Sequence, residues 1–428
     1  MKKIRYISII SVLVIATVIF LLTSIDSSGS DKPVSKYKPE VIDTKQFITN
    51  LNDFKIQDKS SWIDSVMNRM KQITGLNGTF LYADQGNVIY ERSFGYSDLR
   101  KRTKMQTTDT FQLASVSKMF TATAILILVQ EGKLDLDDDF KTFYSNFPYE
   151  GITVRSLLNH RSGLPRYMSI AHEFWEDKNK PLTNEDVVNL FIEHPVPRYF
   201  APLHNFHYCN TNYALLANIV EKVSGVPFDI YVKEKIFRPA GMKHSLVYNM
   251  NGDTIVEPYI KEGVNGYLMR RYPRIMRNDY LNGVMGDKNV YSTIEDLFLF
   301  DNALRSQTLL NDSLQQLAYT PGTLKTRRKN LYGFGWRIKP DRDSTVYHFG
   351  WWKGFRTFFI RDLAQEKTIV LLTNTDKGIG SEILWKILDN KENDLPPMSR
   401  LYREEDHQND IVTDFYKGMS EYDYPEYN

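Results

Sequence analysis

The sequence predicts an α+β protein in which one antiparallel sheet, flanked by helices, carries an inserted helical lobe. Strand-like patterns stand at both ends of its main region, as a hairpin near residue 85 and as four strands between residues 332 and 374. Helical patterns, broken by proline and glycine, fill most of the chain from residue 151 to about residue 243. When strands from both ends join one sheet, the helices between them form a separate lobe, and ligand sites occur where such lobes meet.

Residues 1–26 are predicted to be a transmembrane anchor or a signal peptide. Lys2, Lys3 and Arg5 precede an uncharged run over residues 6–25, which is long enough to span a bilayer. The run ends in TSIDSSGS, which lacks an Ala-x-Ala pattern, so we favour an uncleaved anchor and keep a cleaved signal peptide as the alternative. Either way we expect the rest of the chain to be exported to the periplasmic or extracellular face of the membrane.

Composition divides the remaining chain into a linker (27–60), a folded domain (61–392) and a polar, tyrosine-rich tail (393–428). Hydrophobic residues make up 42% and charged residues 25% of the 428 residues, which is typical of a globular protein. The net charge of +2 gives no indication of nucleic-acid binding. Cys209 is the sole cysteine and no His-Glu-x-x-His occurs, so no disulfide, metal site or cofactor is predicted.

Local signals predict the first elements of the domain. A helix is expected over residues 61–74, where Trp62 and Met70 belong to an apolar set at helical spacing. Two β-rich runs flank the turn signal at residues 84–87 and predict a hairpin. A second helix is expected over residues 115–131, because a glycine that can cap it follows directly.

Similar signals mark the later elements. One amphipathic helix should end at Gly225, and another should begin at a capping Ser292 or Thr293. The strands between residues 332 and 374 are followed by a final helix, SEILWKIL. Residues 247–280 form an insertion without a clear pattern. Because it directly precedes LNGVMGDKNVYST, we consider it a candidate border of the functional site that sets specificity.

The Ser115-Val-Ser-Lys118 stretch stands directly ahead of a long apolar helical pattern. Residues three apart share one face of a helix, so Lys118 is expected beside Ser115. Free backbone N–H groups at a helix start can stabilise an oxyanion, and a lysine with a lowered pKa can act as a base. On spacing alone, a capping serine with a solvent-exposed lysine is the alternative. A second match, at residues 35–38, lies in the linker and is interpreted as unstructured.

Five phrases extend this motif: SVSKMFTATAILILVQEGKLDLDD, ITVRSLLNHRSGLP, YCNTNYALLANIVEKVSG, IFRPAGMKHS and HFGWWKGFRTFF. In this order they resemble the serine β-lactamase and penicillin-binding protein superfamily, and in particular the branch of class C β-lactamases, D-stereospecific peptidases and related esterases. The resemblance covers about residues 77–374, most of the predicted exported chain. It implies a β-lactamase/transpeptidase-like fold and a serine hydrolase that acts through an acyl-enzyme.

The resemblance also implies roles for individual residues. Ser115 would attack a carbonyl carbon, while Lys118 and Tyr208 share the work of the base. Neighbouring cations are expected to lower the pKa of Tyr208 toward the phenolate form. Asn210 would orient the lysine and the substrate amide. The backbone N–H groups of Ser115 and Trp351 would form the oxyanion hole.

The last of the five phrases supplies the strand beside the nucleophile. Gly350 would let a substrate backbone approach closely. His348 stands where many relatives carry lysine, and a histidine is a cation only below about neutral pH. It therefore suits a hydrogen-bonding or pH-dependent role better than firm capture of a carboxylate. Lys353 and Arg356 are candidates for that anion contact.

Two other stretches match the motifs and are set aside. Residues 144–146 read Tyr-Ser-Asn, which fits the resemblance more literally than residues 208–210, but the amphipathic helix follows only the latter. Residues 261–263 read Lys-Glu-Gly but precede no strand pattern. The third element is therefore assigned to His348 and Gly350, ahead of the strand FRTFFIRD.

The substrate class stays open at this level. Trp351 and Trp352 are bulkier than the residues common at this position and predict an apolar wall at the site. That favours an ester, an amide or a D-amino peptide, including a cell-wall fragment, over a β-lactam. A D-Ala-D-Ala carboxypeptidase or a β-lactamase is one alternative, and a catalytically silent protein that binds a cell-wall fragment is the other. The intact Ser115, Lys118 and Tyr208 favour an enzyme.

Overall fold

The computed structural model describes residues 54–250, 263–322, 331–377 and 380–389. The predicted N-terminal segment, most of the linker and the C-terminal tail lie outside these residues. Among the residues described, no helix combines the length and apolar character needed to cross a membrane.

The helices are α1 (Phe54–Thr74), α2 (Ser117–Gln130), α3 (Val154–Leu158), α4 (Tyr167–Phe174), α5 (Asn184–Glu193), α6 (Asn210–Ser224), α7 (Phe228–Val232), α8 (Ile294–Arg305), α9 (Asp312–Ala318) and α10 (Ser381–Leu388). The strands are β1 (Gly78–Asp84), β2 (Asn87–Phe94), β3 (Tyr96–Asp98), β4 (Thr103–Lys104), β5 (Phe111–Gln112), β6 (Leu246–Val247), β7 (Gly266–Leu268), β8 (Arg274–Met276), β9 (Val290–Ser292), β10 (Arg337–Lys339), β11 (Arg342–Trp352), β12 (Phe355–Asp362) and β13 (Lys367–Thr373).

Strands from the two ends of the domain pair in one antiparallel sheet with the order β10-β11-β12-β13-β1-β2. Its central pairing joins β1 to β13, with Gly78 opposite Thr373 and Asp84 opposite Lys367. The helices α2 to α9 lie between β2 and β10 in the chain, together with two strand pairs and one short three-stranded sheet, β5-β9-β6. The predicted α+β fold, with a helical insertion inside one sheet, is confirmed.

The sheet is buried on both faces. On one face Phe80 and Ile369 pack with Leu384 of α10 and with residues of α1. On the other face Phe359 contacts Phe300 of α8, within a larger core that continues through α2 and the helices of the insertion. β13 is buried along its whole length, which explains why its sequence is a continuous apolar run without alternation.

Most local predictions are confirmed. Gln85 and Gly86 both have positive φ angles (49° and 74°), as a two-residue hairpin turn requires. Gly225 caps α6 in the left-handed conformation, with φ of 70°. Thr293 is the N-cap of α8 and accepts a hydrogen bond from the Asp296 N–H. The first helix begins earlier than predicted, at Phe54, because the apolar spacing marks its buried part and not its start.

The insertion at residues 247–280 is described in part. Residues 251–262 lie outside the described residues, while β7 and β8 form a hairpin. Its Gly266 packs against the turn that joins β11 to β12, where a Cβ atom would lie 2.0 Å from the Lys353 carbonyl oxygen. The hairpin thus lies at the end of the strand that carries His348 and Gly350. Its role in specificity stays a prediction.

Candidate active site

Ser115 lies in a single 3₁₀ turn, Ala114–Val116, between β5 and α2. Ala114 has a positive φ of 49°, an uncommon conformation for a residue with a side chain. The segment is held from two sides. The Leu113 N–H donates to the Val290 carbonyl (2.8 Å), and the Leu113 carbonyl accepts from Thr357 Oγ1 (2.7 Å). The turn therefore holds the Ser115 side chain in a fixed place at the start of α2.

Lys118 lies one turn further along and is completely buried. Its Nζ atom donates to Ser115 Oγ (3.1 Å) and to the backbone carbonyl of Asp287 (2.8 Å). Burial lowers the pKa of Lys118 to about 7, and the positive charge of Arg337 adds to the effect, while the Asp287 carboxylate opposes it. A substantial fraction of Lys118 is therefore a neutral amine at neutral pH. The exposed lysine of a simple helix cap is excluded.

The ring of Tyr208 packs against the Lys118 amine, with Lys118 Nζ 5.0 Å from the ring centroid. Burial raises the pKa of the Tyr208 phenol, although Arg337 and a hydrogen bond with Ser115 both lower it. The expectation of phenolate character is therefore wrong, because desolvation outweighs the neighbouring cation. Tyr208 remains a phenol at neutral pH and can relay a proton, while Lys118 is the stronger candidate for the base.

Asn210 is the first residue of α6, two positions after Tyr208. Its Oδ1 atom is buried and has no hydrogen-bond partner among the described residues. The structure thus does not bring Asn210 and Lys118 together in the expected contact, since the Asp287 carbonyl binds the lysine instead. An amide N–H of a bound substrate would satisfy the Asn210 oxygen.

His160 contacts Tyr208 and the two residues Cys209 and Asn212 that follow it in the chain. Its Nδ1 atom accepts hydrogen bonds from the Cys209 N–H (3.2 Å) and from the side-chain amide of Asn212 (3.0 Å). Its ring packs against that of Tyr208, with 4.3 Å between the centroids. The Cys209 thiol is buried and donates to the Pro165 carbonyl, which suits a packed side chain and not a nucleophile.

His348 is fully buried on β11. Its Nδ1–H donates to the Phe349 carbonyl (2.8 Å), since a carbonyl only accepts, and its Nε2 atom therefore accepts from the Tyr332 hydroxyl (3.0 Å). Burial, together with the charges of Arg337 and Lys118, lowers the pKa of His348 well below its usual range. Of the two roles predicted for His348, the pH-dependent one is therefore wrong, because the side chain does not change charge near neutral pH. His348 is a neutral hydrogen-bonding group.

Gly350 lets β11 pack directly against the 3₁₀ turn Ala114–Val116, which carries Ser115 and is called the nucleophile turn below. A Cβ atom on Gly350 would lie 2.4 Å from the Leu113 carbonyl oxygen, 2.6 Å from Thr357 Oγ1 and 2.8 Å from the Ser115 backbone nitrogen. Any side chain at this position would force the strand and the turn apart. The sequence placed Gly350 beside the substrate, and the structure adds its contact with the Ser115 backbone. Trp351 follows it on the strand, half-buried.

The predicted apolar wall of two tryptophans is only half correct, because successive strand residues point to opposite faces. Trp352 is buried, and the Nζ atoms of Lys288 and Lys353 each lie 5.4 Å from its ring centroid. Lys353 is also buried and forms an ion pair with Asp279. Arg356 donates to a backbone carbonyl at residue 376. Both cations predicted as the anion contact therefore bind other partners, Lys353 the Asp279 carboxylate and Arg356 a backbone carbonyl.

Arg337 is the cation that the sequence analysis missed. It lies on β10, the edge strand beside β11, and is 5% exposed. Its guanidinium carbon is 5.1 Å from the ring centroid of Tyr208 and 4.6 Å from that of Phe349. Its charge lowers the pKa values of Lys118 and His348. An arginine in the strand that precedes the His-x-Gly strand was the available signal, but it falls in none of the five phrases.

A serine hydroxyl in contact with a buried amine whose pKa is near 7 is the arrangement that a serine nucleophile and its base require. In the described part of the chain, no three His, Cys, Asp or Glu side chains are grouped so that they could hold a metal ion. The chemistry that these side chains support by themselves is nucleophilic acyl transfer. The fold and the site therefore define the class of the protein, a serine hydrolase.

The chain belongs to the beta-lactamase family, whose model matches residues 63–392. It is 34% identical to penicillin-binding protein 4* of Bacillus subtilis over 341 residues, which cover 75% of this chain and 73% of that protein. It is 26% identical to a D-aminopeptidase of Brucella anthropi over 320 residues, which cover 74% of this chain and 59% of that one. The crystal structure of a penicillin-binding protein from Bacillus halodurans matches with a TM-score of 0.64 and 26% identity, over 77% of this chain and 98% of that one.

Proposed function

We propose that the protein hydrolyses an amide or ester bond of a D-amino acid substrate through an acyl-enzyme on Ser115. The observation that carries the proposal is the 3.1 Å contact between Ser115 Oγ and the buried Lys118 amine. The D-stereochemistry is supported by the similarity to a D-aminopeptidase and to a penicillin-binding protein.

In the acylation step, Ser115 Oγ attacks the substrate carbonyl carbon while neutral Lys118 takes the hydroxyl proton. The oxyanion that forms accepts hydrogen bonds from the backbone N–H groups of Ser115 and Trp351. The Tyr208 phenol, whose ring lies 5.0 Å from Lys118 Nζ, relays the proton from Lys118 to the leaving amine or alcohol as the carbon–heteroatom bond breaks. Water then attacks the acyl-enzyme, releases the acid and returns the proton to Ser115.

Arg337 indicates a substrate with a free carboxylate. His348 is neutral and Lys353 is paired with Asp279, whereas the guanidinium of Arg337 carries a permanent positive charge and contacts the Tyr208 ring. Arginine binds carboxylates through two parallel hydrogen bonds. A peptide that ends in a D-residue with a free carboxylate fits this charge, which favours a D-Ala-D-Ala-type carboxypeptidase within the proposed class.

We further propose that the enzyme acts on the outer side of the cell membrane. The apolar run at residues 6–25, preceded by basic residues, supports export with either an anchor or a cleaved signal. Fractionation of cells that express the full chain would test this. Recovery of the protein from the cytosol would contradict it.

The nucleophile is tested by intact mass after exposure to a fluorophosphonate. We expect the wild type to gain one phosphonyl adduct and Ser115→Ala to gain none, because only an activated serine attacks the phosphorus atom. Ser145→Ala is the matched control, since Ser145 is an exposed serine in the Tyr-Ser-Asn stretch that was set aside, and it should label like the wild type. A folded wild type that takes no label would favour the silent binding protein.

The substrate class is then tested on unlabelled wild-type enzyme, whose Ser115 is free to react. D- and L-amino acid amides, a D-Ala-D-Ala peptide and benzylpenicillin are compared at equal concentrations. Faster turnover of the D-series would support the proposal, and equal turnover of both series would contradict it. Rapid release of hydrolysed benzylpenicillin would instead indicate a β-lactamase, whereas a stable adduct would indicate a penicillin-binding enzyme.

Arg337→Gln is expected to remove selectivity for a carboxylate-bearing substrate. The ratio of kcat/KM for a D-Ala-D-Ala peptide to that for its C-terminal amide should fall by roughly 10- to 100-fold, the value of one charge-assisted contact. The matched control is Arg356→Gln, which removes a half-buried arginine on β12 of the same sheet and should leave the ratio unchanged. If Arg356→Gln changes the ratio and Arg337→Gln does not, the assignment of the carboxylate contact is wrong.

A further inference from the structure

A second buried lysine, Lys288, lies close to the site and has no part in the chemistry proposed above. It forms an ion pair with the carboxylate of Asp287, with Nζ 3.0 Å and 3.2 Å from the two oxygens. Tyr167 of α4 closes the group, because its hydroxyl donates to Asp287 Oδ2 (3.0 Å) and accepts from Lys288 Nζ (2.7 Å). The three side chains are 0 to 2% exposed as residues, so the two charges depend on each other.

The backbone of this pair is fastened to the helix that carries the base. The Asp287 carbonyl accepts from Lys118 Nζ (2.8 Å). On either side of it, Thr121 Oγ1 donates to the Gly286 carbonyl (2.7 Å), and the Val290 N–H donates to Ser117 Oγ (2.9 Å). Residues 286–290 therefore run along the start of α2 and bind the Lys118 amine through a backbone carbonyl.

Lys288 also reaches the strand beside the nucleophile. Its Nζ atom lies 5.4 Å from the ring centroid of Trp352, a cation–π distance. Trp352 directly follows the residue whose N–H is proposed for the oxyanion hole. One buried ammonium group thus contacts the carboxylate next to the base and the ring at the end of β11.

We propose that Lys288 is a positioning residue that neutralises Asp287 and thereby keeps Lys118 able to accept a proton at neutral pH. The inference rests on the proposed role of Lys118 as the base. An unpaired carboxylate this close to a buried amine would stabilise the ammonium form, which cannot take the proton of Ser115. Lys288 cancels that charge without touching the amine itself.

The polar and charged groups around Lys118 agree with this role for Lys288. The groups that contact Lys118 or interact with its charge are Ser115, Tyr208, Cys209, Tyr213, Asp287, Lys288, Arg337, His160 and His348. Of these, Asp287 and Cys209 raise the pKa of Lys118, while burial and Arg337 lower it. Lys118 in turn lowers the pKa of Lys288, so the charges of the two lysines interact. Removing Lys288 alone would leave Asp287 as an uncompensated buried carboxylate.

The experiment compares the pH dependence of kcat/KM for an uncharged ester substrate in the wild type and in Lys288→Met. We expect the rising limb of the pH profile of the variant to shift to a pH about one unit higher than in the wild type. The variant should then lose about tenfold in kcat/KM at pH 6 and little at pH 9. The double variant Asp287→Asn/Lys288→Met should bring the limb back, because it removes both charges. Lys288→Arg, which keeps the charge, should leave the limb near that of the wild type.

Lys367→Met is the control for the cost of removing a buried lysine. Lys367 donates to Gln365 and to the Leu388 carbonyl, none of which is part of the proposed site. We expect its limb to stay at the position of the wild type. A uniform loss in Lys288→Met at every pH, without movement of the limb, would overturn the proposal.

If Lys288→Met does not fold, the double variant decides. A limb that coincides with that of the wild type supports charge compensation, and a limb displaced by a unit or more overturns it. Fluorophosphonate labelling of the wild type comes first. A wild type without label would contradict the proposed function itself, and that failure is separate from any result on Lys288.

Discussion

Lys118→Met is expected to slow acylation of Ser115 by roughly 10²- to 10⁴-fold, the range for loss of a positioned general base. Methionine fills the buried space of the lysine stem but accepts no proton, so the Ser115 hydroxyl keeps its ordinary low nucleophilicity. The second-order rate constant of fluorophosphonate labelling, followed by intact mass, measures the effect. A melting curve of the variant confirms that it is folded.

Lys118→Arg separates the charge from the proton transfer. A guanidinium is protonated at every accessible pH and cannot act as a base. The arginine variant should therefore be as slow as the methionine variant. Near-normal labelling of Lys118→Arg would show that a positive charge is sufficient and that Lys118 is not the base.

The same amine sets the pH dependence of the wild type. The pKa of Lys118 is lowered to about 7, and the reactive form is the deprotonated one. The rate constant of acylation should therefore rise tenfold per pH unit below pH 7 and level off above it. A limb that stays near the ordinary lysine pKa would contradict the assignment.

Gly350→Ala is expected to lower kcat/KM by roughly 10²-fold, the cost of misplacing a catalytic group by about 1 Å. The added Cβ atom would lie 2.4 Å from the Leu113 carbonyl oxygen and 2.8 Å from the Ser115 backbone nitrogen. Because both are backbone atoms, β11 and the nucleophile turn must separate. The donors proposed for the oxyanion hole belong to these two segments, so both N–H groups leave their common position.

Gly380→Ala is the control for Gly350→Ala. A Cβ atom at Gly380 meets nothing within 4 Å, and the residue lies at the N-cap of α10, outside the proposed site. Its kcat/KM should match that of the wild type. If Gly350→Ala retains full kcat/KM, the close packing of β11 on the turn is not required for catalysis.

The local elements were predictable because their signals lie within a few residues of one another. The turn at Gln85 and Gly86, the cap at Gly225 and the cap at Thr293 each depend on the chemistry of one or two adjacent side chains. The start of α1 was missed, because the apolar spacing reports burial of a helix face and not where the helix begins.

The candidate site was predictable in most of its members, with Arg337 missed, and not in their charge states. The phrase order identified Ser115, Lys118, Tyr208, Asn210 and the strand of His348 and Gly350. The structure puts Lys118 against Ser115, yet it binds the lysine through Asp287 and not through Asn210. It also keeps Tyr208 a phenol and His348 uncharged.

The sequence by itself determined the α+β architecture and the family of this protein. Tertiary structure alone decided which base is neutral near pH 7, which tryptophan is buried and which arginine faces the site. Those properties depend on desolvation and on contacts between distant parts of the chain, such as the Lys118–Asp287 hydrogen bond across 169 residues. No pattern of neighbouring residues records them, because burial is a property of the folded surroundings and not of the local chain.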